Sequence, residues 1–338
     1  MNSKMLNLSS QTKSLLLPLS LLFLCATAQS FANTHNAGKK CLYVSSYHEG
    51  YARSDAIETS IRETLKGHCD LRKIDMDSKR NTSPEAIFGV TNRIIKTIEE
   101  WLPDVVITSD DSAAKHLIAP HYKNDKIPFV FSGVNWTVEE YGFPYKNVTG
   151  IVEVAPIKTM FRKALTISKY GRKAAFLGSD SASEKKNFNR LKLIAEEFNI
   201  QLEPLYYTSF SQWKKALEKA NEYDFTIIGS SAGSTDWNNE EAIKTALEIT
   251  RKPTFTTDIW MMPYSIFGFT NLATEQGEWA AEVAKKILGG TRPDEIPLAS
   301  NKKWEFWVNE EILQNLQAPP SRSFLRKAKR LQVAARDE

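Results

Sequence analysis

The chain has 338 residues, of which 42% are apolar and 25% charged, and its 44 basic and 40 acidic residues leave a formal charge of +4. That balance gives no electrostatic case for nucleic acid or for an anionic membrane surface. The length suits one large domain or two medium ones.

The N-terminus stands apart from the rest. Lys4 and Lys13 make a positive start, and the apolar run from Leu15 to Leu24 is too short for a bilayer, which needs about 20 such residues. Ala26-Thr-Ala28 and Ser30-Phe-Ala32 offer two small-residue cleavage sites, so residues 1–32 read as a secretory signal peptide. Cutting after Ala32 removes two lysines and no acids, and the charge falls from +4 to +2. Leu24 before Cys25 disfavours lipoprotein processing. Two cysteines then remain, Cys41 and Cys69, and an even pair in an oxidising compartment predicts a disulfide. The five histidines show no metal-ligand spacing, so no metal or cofactor is expected.

Past residue 38 the chain alternates β-rich runs with helical patterns. Cys41–Ser46 is the first strand, followed by Ile57, Ile61 and Leu65 on one helix face. Leu71–Met76 is the second strand, and Ser83-Pro84 opens an amphipathic helix through Ile98. Val105–Thr108 and Phe129–Phe131 are buried strands. A second series runs from Thr149 through strands at Lys173–Leu177, Leu202–Tyr207, Phe225–Ile228 and Thr254–Thr256. This order predicts an α/β protein with two doubly wound parallel-sheet lobes. The expected division places 38–148 and about 275–300 in the first lobe and 149–274 in the second. The segment 301–338, with a late strand at Trp304–Val308, is left to return to the first lobe and brace it. Gly150 and Gly268 at the junctions are candidate hinge points.

Ligands of doubly wound sheets bind beyond the carboxyl ends of the strands. In the first lobe those exits read Ser45-Ser46-Tyr47-His48, Ser109-Asp110-Asp111-Ser112 and Ser132-Gly133-Val134-Asn135-Trp136. In the second they read Gly178-Ser179-Asp180-Ser181, Gly229-Ser230-Ser231-Ala232-Gly233 and Thr257-Asp258-Ile259-Trp260. Hydroxyls, carboxylates or amides recur at all six, with aromatics close by. Any single one of these residues could be a helix cap or a core aromatic; the recurrence carries the inference. Ser45, Ser46, Tyr47, Asp110, Asp111, Ser112, Ser132, Asn135 and Trp136 are therefore candidate ligand contacts on one lobe. Ser179, Asp180, Ser181, Ser231, Asp258 and Trp260 are candidates on the other. No nucleophile elbow, phosphate loop, dinucleotide fingerprint or zinc-protease motif occurs, and no catalytic residue is assigned.

Several stretches resemble a known family. Leu42–His48, Ile127–Asn135, Asn147–Ile151, Gly277–Gly290, Asp294–Pro297 and Trp304–Gln317 resemble periplasmic substrate-binding proteins of ABC transporters, in the branch related to tryptophan and tyrosine binders. The resemblance implies a type I periplasmic-binding fold with three crossing segments and a ligand in the cleft. It implies ligand contacts from the loops matching 109–112, 132–135, 179–181 and 229–233. Asp110-Asp111 departs from that branch, which often has a small turn with Thr or Pro there. The expected protein is a monomeric periplasmic receptor for a small polar, amino-acid-like ligand. Its membrane partner is an ABC permease or, alternatively, a sensor kinase or cyclase; an envelope enzyme is the remaining alternative.

Overall fold

The computed structural model describes residues 38–331 apart from residue 235, so the expected signal peptide lies outside the described residues. Two sheets organise the chain. In the first, β1 (Lys40–Ser45), β2 (Asp70–Asp75), β3 (Val105–Ser109), β4 (Phe129–Asn135), β5 (Val148–Glu153) and β11 (Ala299–Ser300) take the order β11-β5-β4-β3-β1-β2. In the second, β6 (Lys173–Ser179), β7 (Gln201–Tyr207), β8 (Phe225–Ile228), β9 (Thr254–Thr256), β10 (Phe267–Asn271), β12 (Trp304–Val308) and β13 (Lys329–Arg330) take the order β13-β12-β10-β9-β8-β6-β7. Every described pairing is parallel except that of β10 with β12.

Helices α1 (Ala52–Leu65), α2 (Pro84–Trp101), α3 (Asp110–Ala113), α4 (Ala119–His121), α5 (Ile157–Ile167), α6 (Ala182–Glu197), α7 (Phe210–Ala220), α8 (Asn239–Ile249), α9 (Ala273–Leu288), α10 (Glu310–Leu313) and α11 (Arg322–Leu325) complete the fold. A π-helical stretch, Ala114–Ile118, joins α3 to α4. The central strands β1, β3, β4, β8 and β9 are buried almost throughout because helices cover both faces of each sheet, while the edge strands β2 and β7 carry exposed polar residues. On the first sheet, Leu42, Val44 and Val106 pack with Ile94 and Ile98 of α2. The alternate residues Tyr43, Val105 and Ile107 pack with Ile57 and Ile61 of α1 and Ala280 and Ala284 of α9. A separate aromatic-rich core surrounds the second sheet, with Trp213, Phe176 and Phe255 fully enclosed. The expected disulfide joins Cys41 of β1 to Cys69, just before β2, at a Cα separation of 5.9 Å. Parallel pairing of β1 with β2 brings the two backbones within bridging distance.

The chain crosses between sheets three times: after β5, between β10 and α9, and between β11 and β12. Two expectations therefore change. Residues 149–153 continue β5, hydrogen-bonded to β4, so the first crossing follows Glu153. The late strand β12 does not return to the first lobe; its register with β10, from Phe267 opposite Val308 to Asn271 opposite Trp304, extends the second sheet.

Asn301 ties the crossings together. It donates to the Val154 carbonyl at 3.1 Å and to Asn271 Oδ1 at 3.0 Å, and it accepts from the Val154 N–H at 2.7 Å. Gly150 and Gly268 are not the flexible points. A Cβ on Gly150 would sit 2.4 Å from the Phe131 ring, and one on Gly268 would sit 2.3 Å from Met262 Sδ. Both glycines are needed for close packing inside strands.

Candidate ligand-binding cleft

The exits of the two sheets face each other across a cleft of about 530 Å³. Lys79, Asp111, Asn135, Trp136 and Glu153 line it from the first lobe, and Phe176, Glu184, Ser230, Asp258 and Trp260 from the second.

The first-lobe wall is built on unusual backbone. Asp110, Gly133 and Trp136 all have positive φ, at 66°, 66° and 65°. The register of β4 against β5 shifts between Phe131 and Val134, a bulge that re-aims the strand end. For a residue as bulky as tryptophan this conformation is rare, and such strain concentrates at functional positions. Gly133 is required here, because a Cβ would lie 3.1 Å from Asp110 Oδ1 as well as straining the backbone.

Several of the expected contacts are occupied in holding these loops. Ser46 donates to the Ser109 carbonyl and accepts from the Ala113 N–H at 2.9 Å, strapping the β1 exit to α3. Ser132, within β4, donates to the Thr108 carbonyl, and Ser45 donates to the Tyr47 carbonyl. Asp111 accepts from Asn135 Nδ2 at 2.6 Å and from the Tyr141 hydroxyl at 2.9 Å, which clips the β4 exit to α3. Ser112 lies beside Tyr47 and Lys79 in a shallow hollow at the mouth.

On the second lobe, Ser179 donates to the Ala232 carbonyl and Ser181 caps α6. Asp180 points away from the cleft: it is exposed and pairs with Lys185 at 2.5 Å. The Ser231 carbonyl accepts from the Ser234 N–H, and the neighbouring Ser230 is the residue that lines the cleft. Asp258 and the exposed Trp260 both face it.

Behind the first wall, next to the cleft-lining Asp111, Asp110 is only 3% exposed, and its Oδ2 has no hydrogen-bond partner among the described residues. Burial pushes its carboxyl up to about 6, against the pull of Arg53. Desolvation by the cleft walls, helped by Glu184, pushes Asp258 up to about 7. Burial and the nearby Asp110 and Asp111 push the Tyr47 hydroxyl up, so it stays a neutral donor. Tyr47 and Tyr51 meet edge to face, and the Lys79 ammonium rests over both rings, at 4.3 and 3.8 Å.

Sequence reasoning missed Arg53, Glu153 and Glu184. Arg53, in the first turn of α1, pairs with Glu153 at the end of β5 and lies within electrostatic reach of both Asp110 and Asp258. Taking β5 as the start of the second lobe hid Glu153, which stands at one more exit of the first sheet. Glu184 follows Ser181 at capping-box spacing. Its carboxylate instead accepts from the Ser230 N–H at 3.0 Å and from Asn187 Nδ2 at 2.8 Å, and so fixes the β8 exit.

Residues 45–331 match the family described as ABC transporter substrate binding protein. The chain belongs to this family of substrate-binding proteins. Its fold is of the type I periplasmic-binding kind. The chain is similar to a ligand-free, open substrate-binding protein with adhesive properties from Clostridium difficile (15% identity, TM-score 0.68, covering 87% of this chain and 99% of that one). It is also similar to a domain crystallised with L-Trp from Streptococcus pneumonia (15% identity, TM-score 0.59, 87% and 100% covered). A third likeness is to a conserved domain protein from Vibrio cholerae (18% identity, TM-score 0.62, 87% and 100% covered). At these identities the likeness speaks for the fold alone. No curated protein matches the chain significantly. Among the described residues no helix is long and apolar enough to cross a membrane, and no cluster of metal-ligating side chains occurs.

Proposed function

We propose that this member of the family is a periplasmic solute receptor that captures a small polar, amino-acid-like ligand between its lobes and delivers it to an ABC permease in the membrane. The observation that carries the reading is the cleft itself, with walls from both lobes and aromatic and charged side chains on each. Pockets that clasp small molecules combine apolar walls with a few placed polar groups. Here Trp136, Phe176 and Trp260 supply the former, and Asp258 and Ser230 the latter. Ligand touching both walls would favour a closed arrangement, with the three crossings acting as the hinge. A permease can then distinguish loaded from empty receptor by shape.

Native mass spectrometry of the protein purified from its own envelope tests the reading. A bound small molecule that is lost on unfolding is the expected result. Protein that carries none, and whose radius of gyration is unchanged by a concentrated extract of small metabolites, would overturn it.

A further inference from the structure

Charge in the cleft does not balance. The Arg53 guanidinium is paired with Glu153, and Asp110 and Asp258 both lie within electrostatic reach of it. Three carboxylates, Glu153, Asp110 and Asp258, therefore lie around the half-buried Arg53 guanidinium. Glu184, 3% exposed in the second wall, adds a fourth acid, engaged with Ser230 and Asn187. Asp111 is committed to Asn135 and Tyr141. Lys79 also acts on Asp110 from the mouth, and its ammonium, held by the Tyr51 hydroxyl at 2.6 Å and over the two tyrosine rings, offsets only one of these charges. Arg190, over the Trp136 ring at 5.1 Å, and the exposed Lys186 also line the cleft, and the acids at and behind its walls (Asp110, Asp111, Glu140, Glu153, Glu184, Asp258) still outnumber the cations Arg53, Lys79, Lys186 and Arg190.

An ionised carboxylate buried without a partner is costly. Asp110 has that cost built in: it is enclosed, held in a left-handed conformation, and its Oδ2 has no partner. We propose that the ligand is an organic cation, one whose protonated amines outnumber any carboxylate it carries, and that its ammonium is held by Asp110 of the first lobe and Asp258 of the second. This rests on the receptor reading and narrows its ligand class to diamines and dibasic amino acids. Neutral aromatic amino acids would bring an ammonium and a carboxylate together and leave the imbalance in place. In the empty cleft near neutral pH, Asp258, pushed up to about 7, is partly protonated, while Asp110, pushed up to about 6, is mostly ionised. An arriving ammonium displaces the Asp258 proton, so binding near neutral pH releases protons.

Calorimetry of the full mature protein with lysine, putrescine, norleucine and tryptophan tests this, with each titration repeated in two buffers of different ionisation enthalpy. Lysine or putrescine should bind about tenfold or more tighter than norleucine, the scale of one charge-assisted contact. Asp258→Asn should lose a similar factor and should also lose the proton release. Asp110→Asn, checked for folding by its melting transition, should also lose affinity while keeping the proton release that Asp258 supplies. Norleucine or tryptophan binding as tightly as lysine, or Asp258→Asn leaving affinity unchanged, would overturn the proposal. So would failure of both cationic probes to bind. A neutral ligand found by native mass spectrometry would remove this inference and leave the receptor reading standing.

Discussion

The side-chain amide of Asn301 holds the backbone of Val154 on both sides, accepting from its N–H at 2.7 Å and donating to its carbonyl at 3.1 Å. Val154 begins the first crossing and Asn301 the third, and Asn271, before the second, bonds to the same amide at 3.0 Å. One side chain thus sets the spacing of all three connections. Asn301→Ala should lower stability by about 1–3 kcal/mol, the usual result of stripping partners from partly buried backbone groups. It should also enlarge the radius of gyration of the unliganded protein in small-angle scattering. Unchanged scattering together with unchanged melting would show that the crossings are held elsewhere.

The acidic cleft predicts how stability responds to pH. Asp110 is raised from an ordinary 3.8 to about 6, and Asp258 to about 7, both chiefly by desolvation. A carboxyl with a raised value in the folded state holds its proton more tightly there than in the unfolded chain. Its contribution is therefore greatest below about pH 4 and is lost as pH rises from there to about 6 for Asp110 and about 7 for Asp258. For enclosed Asp110 the loss is on the order of 3 kcal/mol. Asp110→Asn should remove that part of the slope. Melting curves of the empty protein and the variant at about pH 4 and about pH 8 should converge at the lower value and separate at the higher, with the variant more stable. Parallel profiles would count against a buried, protonatable Asp110.

Gly150 predicts a packing effect where the sequence suggested a hinge. An alanine there would place its Cβ 2.4 Å from the buried Phe131 ring. Overpacking of that kind costs about 1–3 kcal/mol. Gly150→Ala should lower the denaturant midpoint while leaving ligand-induced compaction intact. Normal stability with impaired compaction would restore the hinge role.

The Cys41–Cys69 bridge spans 28 positions of sequence. Closing a loop of that length stabilises by about 3–4 kcal/mol on the chain-entropy account. The Cys41→Ala, Cys69→Ala protein should melt lower by several degrees, and wild type should match it once reduced. Two reactive thiols in the oxidised, unfolded wild type would exclude the bridge.

The central strands were legible because helices bury both of their faces, so runs such as Val105–Thr108 and Phe225–Ile228 are buried throughout and rich in β-branched and aromatic residues. Their exits were legible for the complementary reason, that polar residues begin where burial ends. What each polar residue does there was not. Ser46, Ser132, Ser179 and Asp111 have the same chemistry whether they bond to a ligand or to a neighbouring loop, and only the register of the strands decides it. Asp180 and Asp258 follow comparable strands, yet one turns outward to Lys185 and the other into the cleft. The partner of β12 was also hidden, since an antiparallel return and a parallel one present the same alternating run. Arg53 escaped because a charged residue in a first helical turn usually faces solvent. It is the distant end of β5 that supplies its counter-charge.

Trp136 belongs by its backbone to one lobe and by its ring to the other. Its N–H is bonded to the Glu153 carbonyl, while the indole packs against the second-lobe core under the Arg190 guanidinium. Rotation of the lobes cannot leave the polarity around this indole unchanged, whereas Trp213, fully enclosed within the second lobe, would keep its surroundings. Closure is thus written into the surroundings of the cleft tryptophans, Trp136 and the exposed Trp260, and not into those of Trp213.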